Sequence, residues 1–110
     1  MSLYQPTQID DVIHGRNRFL VLTALSNESS MEFVELRDRL GLQDGSLHLA
    51  LKKLEEVRFV ELAKGRSDAG RSRTTVKITS KGRKAFYAYL DELKELMATI
   101  PHEDRPPTEE

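Results

Sequence analysis

Two short alternating segments constrain this chain more than any other feature of it. FVELAK, residues 59–64, puts Val60 and Leu62 on one face, and TTVKIT, residues 74–79, does the same with Val76 and Ile78. A period of two marks half-buried strands, and the Gly-, Ser- and Arg-rich stretch between them predicts a β-hairpin. On both sides of the hairpin the apolar residues recur at helical spacing instead. RNRFLVLTALS, residues 16–26, carries Phe19, Leu20, Leu22, Ala24 and Leu25 and is apolar nearly all round, which predicts a helix buried on more than one side. IDDVIH before it predicts one helical turn, and NESS after it a turn. MEFVELRDRLGL places Phe33, Leu36 and Leu40 at i, i+3 and i+7 of a short helix stopped by Gly41. QDGSLHLALKKLEEVRF predicts a helix starting at Gln43 or Asp44, with Leu47, Leu51 and Leu54 as its buried stripe and Ala50 on the same side. Beyond the hairpin, SKGRKAFYAYLDELKELMATI spaces Phe86, Leu90, Leu93, Met97 and Ile100 helically, with Thr79 or Ser80 as N-cap and Pro101 as the stop.

The predicted order is helix, short helix, helix, hairpin, long helix. Two short helices joined by a tight Gly turn make a helix-turn-helix, and a hairpin directly after the second makes it winged, so the fold class is mainly α with a small β-hairpin. With 110 residues the chain has the length of one domain. Residues 1–8 read as a flexible arm, 9–100 as the folded domain, and 101–110, acidic, Pro-rich and aromatic-free, as a disordered tail. The sequence contains no Cys, which excludes disulfides, thiolate metal sites and a Cys nucleophile. No long apolar run suggests a signal peptide or a membrane span, so the expectation is a soluble cytoplasmic protein.

The hairpin tip, GRSDAGRS at 65–72, spells G-x-x-x-x-G-R-S, one residue from the phosphate-binding pattern G-x-x-x-x-G-K-S/T. That pattern needs a strand before it and a helix after it, because the helix N-terminus and bare amides hold the phosphates. Here a strand-like segment follows, and nucleotide binding is excluded on that ground. Gly65 and Gly70 are expected as turn residues, and Asp68 as an acceptor of backbone N–H bonds in the turn.

Net charge is −1, but its distribution is uneven. Residues 64–84 carry eight bases against the single acid Asp68, and residues 85–110 carry seven acids against two bases. A basic block of this kind suits a polyanion. Lys64, Arg66, Arg71 and Arg73 would project from the ribbon toward phosphates or a minor groove. His14, His48 and His102 lie on separate elements without an H-x-x-x-H pair, so no metal or other cofactor is expected, and no Ser/His/Asp set argues for an enzyme. Phe86, Tyr89, Leu90, Leu93, Leu96, Met97 and Ile100 are too many apolar residues for one helix beside a three-helix core. Part of that surface, with Phe19 of the first helix, is expected to pair with a second copy.

FVELRDRLGLQDGSLHLALKKLEEVRFVELAKG, GRSRTTVKIT and TSKGRKAF together resemble the small single-domain winged-helix transcription regulators of the MarR/ArsR type. In that branch the recognition helix opens on DG and the last helix on T-x-x-G-R-x-A-F, and the likeness runs from Asp11 to Met97. The resemblance implies a homodimer paired through its first and last helices, acting on double-stranded DNA at an inverted-repeat operator, most simply as a repressor. It implies a DNA-facing side of Gly45, Ser46, His48, Leu49, Lys52 and Lys53. Two positions depart from the family's usual polar residues: Leu49 and Ala50. Leu49 could touch a thymine methyl or edge the core. The competing reading is a winged helix that binds another protein and has lost DNA.

Overall fold

A computed structural model describes residues 10–101. Asp10 opens it by accepting the backbone N–H groups of Val12 (2.9 Å) and Ile13 (3.0 Å) through one carboxylate oxygen, closing the turn expected at IDDVIH. Helix α1 spans Arg16–Glu28 and buries Val21, Leu22 and Leu25. Strand β1 is Ser30–Glu32, helix α2 is Phe33–Leu40 and helix α3 is Asp44–Glu56. Strands β2, Val60–Arg66, and β3, Ser72–Ile78, form the hairpin, and helix α4 runs Ser80–Met97. This is a winged helix-turn-helix, as expected. The arm and nearly all of the tail lie outside the described residues. No helix among the described residues is long and apolar enough to cross a membrane.

The strand β1 corrects the sequence reading, which passed from the turn at NESS straight into a short helix and had no strand between them. The sheet has three antiparallel strands in the order β1-β3-β2, with Met31 opposite Val76. Both side chains are buried in the core. A three-residue strand exists only through its partner, so no local period could announce it. One core gathers the expected stripes: Leu36 from α2, Leu47, Leu51 and Leu54 from α3, Val60, Val76 and Ile78 from the sheet, and Phe86 from α4.

Tyr89 of α4 fastens the chain entering α1. Its hydroxyl is hydrogen-bonded to His14 Nδ1 at 2.7 Å, and its ring lies 5.9 Å from that of Phe19. Burial, and then the nearby charge of Asp10, push the phenol's pKa above its ordinary value. A raised acid pKa means that the fold favours the neutral phenol, so this contribution is complete below about pH 10 and is lost as pH rises through the higher folded value. Tyr89→Phe is expected to cost about 1 kcal/mol at neutral pH. Urea midpoints of the two proteins should converge as pH passes 10, and a constant gap would refute the assignment.

Candidate nucleic-acid interface

The turn between α2 and α3 fixes how α3 is presented. Gly41 takes φ 66°, a left-handed value that a side chain resists. The Leu42 N–H then donates to Arg37 O at 3.1 Å and closes α2. Across the turn Arg37 Nη1 meets Asp44 Oδ1 at 2.9 Å, and its Nε meets Asp38 at 2.8 Å. Asp38, and then Asp44, raise the guanidinium's pKa further. Both pairs are solvated and add little stability, and the one to Asp44 ties the α3 N-terminus to α2.

One side of α3 is spent on the core, through Leu47, Ala50, Leu51 and Leu54. The other side leaves Gly45, Ser46, His48, Leu49, Lys52 and Lys53 exposed. Leu49 is 63% exposed and is therefore not a core-edge residue. A Cβ added at Gly45 would meet nothing within 4 Å, so the backbone there is open to close approach. The His48 ring is not free: it stacks on Phe33 of α2 at 4.4 Å between centroids and 30° between planes.

The wing is a regular ladder from Val60 opposite Ile78 to Arg66 opposite Ser72. Gly70 has φ 80°, as a turn glycine should, but Gly65 lies inside β2 opposite Arg73 and is not a turn residue. The turn acceptor is Ser67 rather than Asp68. Ser67 Oγ accepts Arg71 N–H at 3.3 Å, and Ser67 O accepts Gly70 N–H at 2.9 Å. A strand follows this loop, so the helix terminus that a phosphate loop requires is absent.

The wing cations differ in their ties. Arg66 Nη1 donates to Gly70 O at 3.1 Å inside the wing. Arg73 Nη2 pairs with Glu32 Oε1 of β1 at 2.5 Å. The charged ends of Lys64 and Arg71 have no hydrogen-bond or ion-pair partner among the described residues. Other bases of the block serve the fold. Arg83 donates to Ser26 O (3.2 Å) and Ser29 Oγ (3.1 Å) at the end of α1, and Lys81 Nζ lies 5.9 Å from the Phe59 ring centroid. A groove of about 470 Å³ separates α2 and α3 from the wing, and Phe33, Val34, His48, Arg71 and Arg73 are among the residues lining it. Glu32 also lines it, and no sequence signal pointed there, because its partner is 41 positions away. Among the described residues no three His, Asp or Glu side chains converge on a metal-sized site.

The apolar face of α4 is divided. Phe86 and Tyr89 do not belong to a surface for a partner copy, since they are 3% and 6% exposed and pack inside the chain. The reason is Phe19, half-buried, whose ring sits 5.7 Å from Phe86 and fills the space between α1 and α4. Leu90 and Leu93 are partly buried against the core, and Leu96 is partly buried too. Met97 and Ile100 stand clear, 56% and 51% exposed.

Residues 17–97 match the family of winged helix DNA-binding domains. An uncharacterized protein of Methanocaldococcus jannaschii is 43% identical over 83 residues, covering 76% of this chain and 89% of that one. Among solved structures, a transcriptional regulator homologue from Pyrococcus horikoshii OT3 superposes with a TM-score of 0.75 at 25% identity, over 80% of this chain and 86% of that chain. The M. tuberculosis transcriptional regulator MosR, solved in complex with DNA, superposes with a TM-score of 0.63 at 19% identity, over 80% of this chain. The match spans 62% of that regulator's length, so the likeness is one of fold.

Proposed function

This chain belongs to the winged helix DNA-binding domain family, and we propose that it is a homodimeric, sequence-specific repressor that occludes promoter DNA. One observation carries the reading. His48, on the exposed side of α3 that also carries Ser46, Leu49, Lys52 and Lys53, lines one groove with Arg71 of the wing, and the charged ends of Arg71 and Lys64 have no partner among the described residues. In such an arrangement the helix enters a major groove while the ribbon follows the backbone. Ser46 and His48 are assigned to base edges, and Lys52, Lys53, Lys64 and Arg71 to phosphates. Arg66 and Arg73 already hold partners and are secondary. The M. tuberculosis regulator solved with DNA has the same fold, which supports the reading. Two copies related by a two-fold axis would place their recognition helices about 34–36 Å apart and select an inverted repeat.

The test is a salt titration of binding to one random and one genome-selected duplex, followed by fluorescence anisotropy. Each neutralised phosphate adds about 0.9 to the magnitude of the slope of log affinity against log salt. Lys64→Ala/Arg71→Ala removes up to four contacts from a dimer, so the slope should shrink by up to about 3.6 on both duplexes. His48→Ala and Ser46→Ala should instead lower the ratio of selected to random binding, by about 1–3 kcal/mol for each lost base contact. Unchanged slopes would remove the wing from the interface, and an unchanged ratio would remove α3. Salt-independent, negligible binding by the wild type would overturn the DNA reading and favour a protein partner at Leu49.

A further inference from the structure

We infer that Glu32 is an internal competitor for the DNA backbone: it occupies Arg73 in the free protein and withholds one phosphate contact per copy. The inference rests on the DNA-binding reading above. Glu32 ends β1 opposite Thr75, so Arg73, two residues earlier on β3, is its diagonal cross-strand neighbour. The pair closes at 2.5 Å between Arg73 Nη2 and Glu32 Oε1.

Three features argue for a competitor rather than a brace. First, both side chains are about half exposed, and an ion pair so well solvated adds little to the fold. Second, Arg73 spends one nitrogen on one carboxylate oxygen and has no other partner among the described residues. The rest of its planar fork is free, and a phosphate offers that fork the charge and geometry a carboxylate does. Third, Glu32 lines the groove between α3 and the wing, together with Arg71, Arg73 and His48. A carboxylate is thus held where the polyanion would enter. The next residue, Phe33, carries the stacked His48. The β1–α2 junction therefore touches both DNA-facing elements: one residue restrains the wing's charge and the next holds the recognition helix's imidazole.

The consequence lies in sequence-independent binding, which is almost wholly electrostatic. With Arg73 neutralised, the wing offers random duplex one cation fewer per copy. Glu32→Gln keeps the shape and removes the competitor. On random duplex the salt slope should steepen by about 0.9 per copy, or about 1.8 in a dimer. Lines meeting at 1 M salt then give up to about 60-fold tighter binding at 0.1 M. In the Arg73→Ala background the same substitution should leave the slope where it was, because no cation remains to be released. That background separates release of Arg73 from mere loss of a negative charge. Circular dichroism and a urea midpoint close to wild type would show that both variants remain folded.

An unchanged slope in Glu32→Gln would overturn the inference, as would an equal steepening with and without Arg73. A fall in affinity would also overturn it, since Glu32 would then be a brace for the wing. If wild type shows no salt-dependent binding to duplex, the DNA reading fails and this inference with it. If wild type binds with a steep slope that Glu32→Gln matches, the inference alone fails.

Discussion

Glutamates at Met97 and Ile100 together are expected to turn the proposed dimer into a monomer at micromolar concentration while leaving the domain folded. Both side chains are more than half exposed in a single chain, on the last turn of α4 and just beyond it. Fully burying side chains of this size contributes about 1.5–3 kcal/mol each. Roughly half of that remains to be gained at a partner's surface, and a symmetric pair brings four such side chains. Losing them corresponds to about 3–6 kcal/mol of association, or roughly 10²- to 10⁴-fold in Kd. Buried carboxylates would add to the loss. Sedimentation velocity reads the state, and circular dichroism shows whether the monomer is folded. A wild type that sediments as a monomer, or a double variant that remains a dimer, would sink the proposed interface. Truncating the chain after Lys84 is a poorer test. It also removes Phe86 and Tyr89, which are core residues of the single chain, and deleting one buried aromatic side chain already costs about 3–5 kcal/mol.

Gly82→Ala should destabilise the domain by about 3 kcal/mol or more, the upper end of the cost of overfilling a packed site. The first turn of α4 is docked on the chain leaving α3. There Arg58 takes φ 65°, and the Phe59 N–H donates to Leu54 O at 2.9 Å, ending α3. Thr79 joins the two segments. Its hydroxyl donates to Arg58 O (2.7 Å) and accepts Gly82 N–H (2.9 Å), and its own N–H donates to Phe59 O (3.0 Å). A Cβ at Gly82 would lie 2.2 Å from Phe59 O, a backbone atom that no rotamer change can move. For a domain of this size the melting temperature should fall by roughly 12–24 °C. Gly45→Ala, in the open first turn of α3, should do the opposite and gain about 0.5 kcal/mol. Equal stability of Gly82→Ala and wild type would mean that α4 is not docked this way.

How far the chain could be read in advance follows from the range of the interactions involved. Stripes such as Leu47, Leu51 and Leu54, and alternations such as Val60, Leu62, Val76 and Ile78, report burial through local periodicity, and periodicity is a property of neighbours in sequence. So are Gly41 in its left-handed turn and Thr79 as N-cap of α4. The order of the four helices and the hairpin, and with it the winged helix-turn-helix, was therefore legible in the sequence alone, as was the side of α3 opposite its apolar stripe, Leu49 excepted. Everything that depended on a partner far along the chain was not. The strand β1 exists because Met31 lies opposite Val76. Phe86 and Tyr89 turned from candidate surface to core because Phe19 and His14 come to meet them. Arg83 left the basic block to bond the end of α1. Glu32, unremarkable where it stands, became the counter-charge of Arg73. Sequence determined which residues leave water, since that choice is made one element at a time. Tertiary structure decided which cations remain free, since a charge is neutralised by whatever the fold brings within about 4 Å of it, however distant in sequence.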